Sequence, residues 1–229
     1  LLFHLLLPII AGRLVWRAWR APAYGRRIGE RFALGLPAMR KDGIWVHAVS
    51  LGESIAAAPL IRELLVRYPG LPITVTSMTP TGSERIQALF GDKIQHCYLP
   101  YDLSWACARF FRHIQPRLAL IMETELWPNH IHQCAKRGVP VVLANARLSE
   151  RSARGYARFA NLTAPMLAEL SLIAAQPEAE AERFRQLGAR PGCVEVTGSI
   201  KFDLSVDAQL QVRASQLRDT WGATQRPVW

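Results

Sequence analysis

Seven times along the chain a short apolar run gives way to a helix-patterned stretch. The runs cover residues 43–49, 73–77, 94–99, 118–122, 139–144, 170–174 and 194–196, each rich in branched or aromatic residues. The stretches between them carry apolar residues at three- and four-residue spacing, as Leu60, Ile61, Leu64 and Leu65 do. Such alternation predicts an α/β fold, a Rossmann-like doubly wound sheet whose strands are mostly parallel. At 229 residues and 50% hydrophobic the chain can bury one or two cores. The pattern predicts a helix over 152–169 broken near Pro165, and a helix after strand two capped by Thr81 or Ser83.

In a parallel sheet every strand ends on the same edge, where open α/β sheets bind ligands. The polar residues of this chain gather at those ends. Ser50-Leu51-Gly52-Glu53 follows the first strand and Thr79-Pro80-Thr81-Gly82-Ser83 the second. Glu123 and Glu125 follow the fourth, Arg147 the fifth, and Ser199 and Lys201 the seventh. Two acids after the buried run Leu118–Met122 need a reason, because an unpaired buried charge is costly. By position alone, Glu53 reads equally as a catalytic carboxylate or as a first-turn acid complementing the helix dipole. Carboxylates, hydroxyls and a lysine suit proton abstraction from an alcohol beside a bound anion. No G-x-G-x-x-G follows the first strand, and neither a P-loop lysine pattern nor G-x-S-x-G occurs, which argues against hydride transfer and acyl-enzyme chemistry.

The net charge of +10 implies an anionic partner. Up to Lys41 the chain holds eight Lys or Arg against one acid, Glu30. Within that stretch an apolar run ending by Arg13 is followed by Trp16 and Trp19 interleaved with Arg17 and Arg20. The run is shorter than the roughly 20 residues that span a bilayer, so residues 1–41 are expected to lie on or dip into an anionic membrane. A cleaved signal peptide would carry its charge before the apolar run, whereas here it follows. No aromatic stacking motif accompanies the charge, so nucleic acid is not expected as a partner. The four cysteines show no C-x-x-C spacing, and His130 and His132 would point to different faces of a helix, so no metal site is expected.

Six motifs, in order, carry a resemblance: Ser50-Leu51-Gly52-Glu53, Thr79-Pro80-Thr81-Gly82, Leu99-Pro100-Tyr101-Asp102, the block Met122 to Asn129 (M-E-T-E-L-W-P-N), Asn145-Ala146-Arg147-Leu148-Ser149, and Thr197 to Asp203 (T-G-S-I-K-F-D). Together they resemble the Kdo transferases of lipopolysaccharide synthesis along nearly the whole chain. The resemblance implies the N-terminal half of a two-domain GT-B glycosyltransferase. It implies transfer of 3-deoxy-D-manno-oct-2-ulosonic acid (Kdo) from CMP-Kdo, with inversion, onto the lipid A precursor lipid IVA, a tetraacylated, bis-phosphorylated glucosamine disaccharide. In that family the glutamate matching Glu53 accepts the proton, and the residues matching Glu123 and Lys201 stabilise the transition state. The neighbouring positions Ser50, Thr79, Thr81, Gly82, Glu125, Arg147 and Ser199 are candidates for substrate binding. No metal belongs to the family's basic site, and no cofactor is implied.

The resemblance also implies a place at the cytoplasmic side of the inner membrane, held peripherally or by a single N-terminal anchor. Residues 42–225 form the expected acceptor-binding domain, and 226–229 read as the first strand of a further donor-binding domain. Residues 1–229 alone are therefore expected not to transfer sugar. The alternatives are a GT-B transferase using a UDP-sugar, and a non-catalytic membrane-binding module.

Overall fold

The computed structural model describes residues 7–200 and 208–221. Helix α1 (Leu7–Arg20) comes first, followed by two 3-10 turns, Pro22–Gly25 and Ile28–Phe32. The strands are β1 (Ile44–His47), β2 (Ile73–Ser77), β3 (Gln95–Tyr98), β4 (Leu118–Met122), β5 (Val141–Ala146), β6 (Leu172–Ala175) and β7 (Val194–Val196). Between them run α2 (Leu51–Arg67), α3 (Pro80–Phe90), α4 (Ser104–Ile114), α5 (Pro128–Ala135), α6 (Glu150–Ala157), α7 (Ala160–Ala168) and α8 (Glu178–Gln186), with α9 (Ala208–Thr220) after β7.

The seven strands form one sheet in the order β3-β2-β1-β4-β5-β6-β7, with every pair parallel. The order reverses between β1 and β4, where a crevice must open at the strands' carboxyl ends. Alternating side chains separate two cores. Ile44, Val46, Leu120 and Met122 join Ala57, Ile61, Ile86 and Phe90 beneath α2 and α3. Trp45, Ala119 and Ile121 join Phe110, Phe111, Ile131, Leu167 and Phe184 beneath α4, α5, α7 and α8. Trp45 is fully buried and meets Phe110 and Phe111 edge-on at centroid distances of 5.7 and 5.3 Å. Each such pair adds about 1 kcal/mol to the burial itself.

Two local expectations are corrected. The chain breaks at Arg158 and Phe159, between α6 and α7, while Pro165 sits inside α7. The residue four before Pro165 is Asn161, in the first turn of α7, so the lost hydrogen bond falls near a helix end where it disrupts least. The cap of α3 is Thr79, whose hydroxyl accepts the Gly82 N–H at 3.1 Å. Pro80 then takes the first helical position, where it needs no N–H donor. Thr81 is exposed, and Ser83 is buried, bonded to His96 and Arg27.

The segment after α1 packs on the sheet. Arg31 and Ala33 are each 2% exposed, and Ala33 joins the larger core with Phe32, Leu36 and Met39 against it. Arg27 and Glu30 form an ion pair at 2.7 Å, and Glu30 also accepts the Tyr98 backbone N–H at 2.8 Å, stapling this segment to β3.

Candidate active site

The loops after β1 and β4 meet at the switch point. Ser50, the residue before α2, caps that helix, and its hydroxyl accepts the Glu53 N–H at 3.4 Å. The Glu53 carboxylate reaches back in turn, accepting the Val49 N–H and the Ser50 hydroxyl, both at 2.9 Å. The pair is a reciprocal cap of the S-x-x-E type, and it holds the carboxylate in one orientation. Glu53 is thus a first-turn acid, and the same bonds that make it one fix it at the head of the crevice.

Glu123 follows β4 with φ of 57°, and its N–H donates to the Ala144 carbonyl at 2.9 Å. A left-handed non-glycine residue costs about 1–2 kcal/mol, a strain that gathers at functional sites. It turns the chain at the end of β4, where Glu123 and Glu125 lie close enough to interact electrostatically with Glu53. Burial raises the Glu53 carboxyl above its ordinary value of 4.5, and the charge of Glu123 adds to the rise. Burial, with the charges of Glu53 and Glu123, pushes Glu125 up to about 7, against the pull of the Trp127 indole. Glu53 and Glu125 therefore share one partly desolvated site beside Glu123, and burial with mutual repulsion favours the protonated form of both.

The surrounding motifs position this cluster. Gly82 lets α3 start against Ser50: a Cβ there would lie 2.9 Å from Thr79 Oγ1 and 3.2 Å from the Ser50 carbonyl carbon. The Leu99–Asp102 and Trp127–Asn129 motifs are joined by Asp102. Its carboxylate accepts both N–H groups of His130 (backbone 3.0 Å, Nδ1 2.8 Å) and the backbone and side-chain N–H groups of Asn129 (3.1 Å each). Burial alone would raise the Asp102 carboxyl, but the bonds and charge of His130, with those of Asn129, bring it below 3.8. Cys107 completes a cluster in which one ligand atom each from Asp102, Cys107 and His130 lies within 4.8 Å of the others. Burial raises the Cys107 thiol far above its usual range, and the bonds of Asp102 to His130 and Asn129 make the cluster a latch between motifs.

At β5 the register shifts between Leu143 and Ala146, around Asn145 with φ of 54°. The Asn145 side-chain oxygen accepts the Ile200 N–H at 3.2 Å and so ties the loop carrying Ser199 to this edge. The Arg147 carbonyl accepts the Thr124 hydroxyl, while its side chain is on an exposed residue. Ser199 is half-buried, and Thr81 stands out to solvent. Lys201 lies outside the described residues. A cavity of about 570 Å³ opens beside Glu125 and Thr79, walled by Tyr101 and Trp127 and roofed by Arg13, Leu14 and Arg17 of α1. Sequence reasoning assigned those arginines to a membrane and passed over Arg31, which also lines the cavity. Nothing local distinguishes Arg31 from the other arginines of the basic stretch.

Residues 26–204 match the family model described as 3-Deoxy-D-manno-octulosonic-acid transferase (kdotransferase). The chain belongs to the 3-deoxy-D-manno-octulosonic acid transferase family. It is 44% identical over 212 residues to the 3-deoxy-D-manno-octulosonic acid transferase of Haemophilus influenzae, covering 92% of this chain and 49% of that one. Identity to the enzyme of the same name from Bordetella pertussis is 40% over 215 residues, covering 91% and 47%. The chain thus spans about half the length of these family members. In fold it is similar to the UDP-GlcNAc 2-epimerase of Neisseria meningitidis bound to UDP-GlcNAc, with a TM-score of 0.54 at 16% identity, over 80% of this chain and 52% of that one. The architecture is the Rossmann-like half of a GT-B protein, as the strand pattern and the family resemblance together imply.

Proposed function

We propose that the complete protein transfers Kdo from CMP-Kdo to lipid IVA with inversion, and that Glu53 is the general base. The observation that carries this reading is the Glu53 carboxylate itself. It is oriented by its cap, raised in pKa by burial and by Glu123, and set at the switch point of the sheet. A raised carboxylate is a stronger base, and it takes the acceptor hydroxyl's proton as that oxygen attacks the anomeric carbon. Inversion follows from one direct displacement, with the base and the departing CMP on opposite sides of the sugar. Lys201, matched through the family motif, offsets charge on the donor carboxylate or departing phosphate. Glu123 favours the positive character of the sugar at the transition state and keeps Glu53 basic. Ser50 and Gly82 position Glu53, while Thr79, Thr81, Glu125, Arg147 and Ser199 lie at strand ends or first helical turns around the acceptor's path.

The donor sits chiefly on the half of the protein that this chain does not span, so residues 1–229 alone are inactive. At the membrane, α1 turns Ile9, Val15, Trp16 and Trp19 outward, at 67%, 66%, 51% and 80% exposure, with Arg20 alongside. Among the described residues no helix is long and apolar enough to cross a membrane. We place α1 flat on the anionic cytoplasmic face of the inner membrane, where tryptophans and arginines are favoured.

The deciding experiment offers CMP-Kdo and UDP-sugars to the full-length enzyme with lipid IVA, and compares it with the Glu53→Gln variant. Transfer of Kdo alone, lost in the variant, is expected. Transfer from a UDP-sugar, or full activity without Glu53, would overturn the reading. Co-sedimentation with anionic liposomes, with and without residues 1–20, tests the membrane role. Equal binding by both forms would remove α1 from it.

A further inference from the structure

Arg31 is an arginine buried without a full set of partners. It is 2% exposed, its Nη1 donates to the Met78 carbonyl at 3.0 Å, and its guanidinium stacks 4.2 Å from the centre of the Tyr98 ring. Its Nε and Nη2 have no hydrogen-bond partner among the described residues. Leaving charged donors unpaired in the interior is costly, so such groups are expected to meet an anion. The acid next to it in sequence, Glu30, is already taken by Arg27 and the Tyr98 N–H.

Arg31 lines the same cavity as Arg13, Arg17, Tyr24 and Thr79. The acids on its wall are Glu125 and Asp102, and Asp102 is consumed by Asn129 and His130. Three arginines therefore line the cavity with one carboxylate that is free of a latch. That surplus suits a dianion with three terminal oxygens better than a carboxylate, which a single arginine would satisfy. Arg13, Leu14 and Arg17 line the cavity from α1, while Val15 and Trp19 lie on the opposite side of the helix and Ile9 and Trp16 flank Arg13. The cavity thus lies directly beneath the helix placed on the lipid surface, within reach of a phosphate carried on a lipid-anchored sugar.

We propose that Arg31, Arg13 and Arg17 form a phosphate-monoester subsite beside the carboxylate cluster, holding a phosphate of the acceptor sugar. The subsite rests on the transferase reading for its occupant, but not for its existence. It anchors the acceptor from the membrane side.

The test uses the full-length enzyme and calorimetric titration with the deacylated, bis-phosphorylated glucosamine disaccharide. The same disaccharide without phosphates and phosphatidylglycerol vesicles serve as the other two arms. Loss of one charge-assisted bond to phosphate predicts binding about tenfold weaker in Arg31→Lys, Arg13→Gln and Arg17→Gln. The dephosphorylated disaccharide should bind the four proteins alike. Kinetically, the variants should raise KM for the phosphorylated acceptor and leave kcat near that of the parent. Arg13 and Arg17 are exposed, so their variants carry the test if Arg31→Lys does not fold. Equal binding of both disaccharides by the parent enzyme would overturn the proposal. So would undiminished disaccharide binding in the variants, or a loss confined to vesicles, which would assign the arginines to headgroups. An absence of Kdo transfer by the parent enzyme would sink the transferase reading instead, while the titration still reads the subsite.

Discussion

Asp102 and Glu53 are both buried carboxylates at strand ends of the same sheet edge, yet they are held in opposite states. Four N–H donors converge on Asp102, and its pKa falls although burial opposes it. Glu53 receives two donors and faces Glu123, and its pKa rises. Burial sets the cost of charge in both places, while the count of donors and the sign of neighbours decide which state wins. Asp102 is a locked anion that binds two motifs together. Glu53, with Glu125, is left able to take up a proton. The difference separates architecture from chemistry within one edge of the sheet.

Exchanging carboxylates for neutral groups on either side tests the contrast. The largest effect is expected at Glu53. In the full-length enzyme Glu53→Gln keeps an acceptor for the Val49 N–H, so the fold should persist while kcat drops about 10²–10⁴-fold. Retention of more than a tenth of the parent rate would place Glu53 with Asp102, as architecture. Asp102→Ala should do the reverse damage. Removing one side of a buried pair costs about 3–5 kcal/mol, read as a lower urea midpoint at neutral pH. Because the Asp102 carboxyl is lowered on folding, this contribution is present above its unfolded value of 3.8 and is lost as pH falls through the folded value. An unchanged midpoint would show that the latch holds nothing.

Glu125 carries the opposite sign. Its folded value of about 7 lies above the ordinary 4.5, so the folded state keeps a proton that the unfolded chain releases between those values. Stability therefore falls as pH rises through that window, and Glu125→Gln should gain about 1–3 kcal/mol above pH 7, with little change below pH 4.5. A variant destabilised at pH 8 would show that Glu125 is paired rather than crowded. The smallest effect is expected from Gly82→Ala, where the added Cβ must push Thr79 or the Ser50 backbone. A cost of about 1 kcal/mol in thermal unfolding is expected, with a larger loss of kcat as the Glu53 cap shifts. A stabilised, fully active variant would show that the two helix starts are not tightly coupled.

Much of the fold was legible because its signals are local. The pattern at 118–122 coincides with β4, since a buried parallel strand is apolar on both faces, and the branched residues at 73–77 and 194–196 coincide with β2 and β7. The clustering of Glu53, Glu123 and Glu125 also followed, because parallel strands deliver all their ends to one edge. Where local signals compete, the sequence was ambiguous. Thr79, Thr81 and Ser83 are all possible caps, and only the packing of α3 against Ser50, permitted by Gly82, selects Thr79. Phe159 rather than Pro165 marks the break between helices, because a proline near a helix start removes little.

By itself, then, the sequence determined the doubly wound sheet, the edge that bears the polar residues, and the motif set that marks the family. The tertiary structure alone decided that residues 27–33 fold back on the sheet, that Arg31 is buried with unpaired donors, and that α1 roofs a cavity next to Glu125. It also decided which carboxylate is locked and which is free to titrate. These properties depend on distances between residues such as 31 and 98, or 53 and 123, and on the water excluded between them, and neither quantity is written in any local pattern.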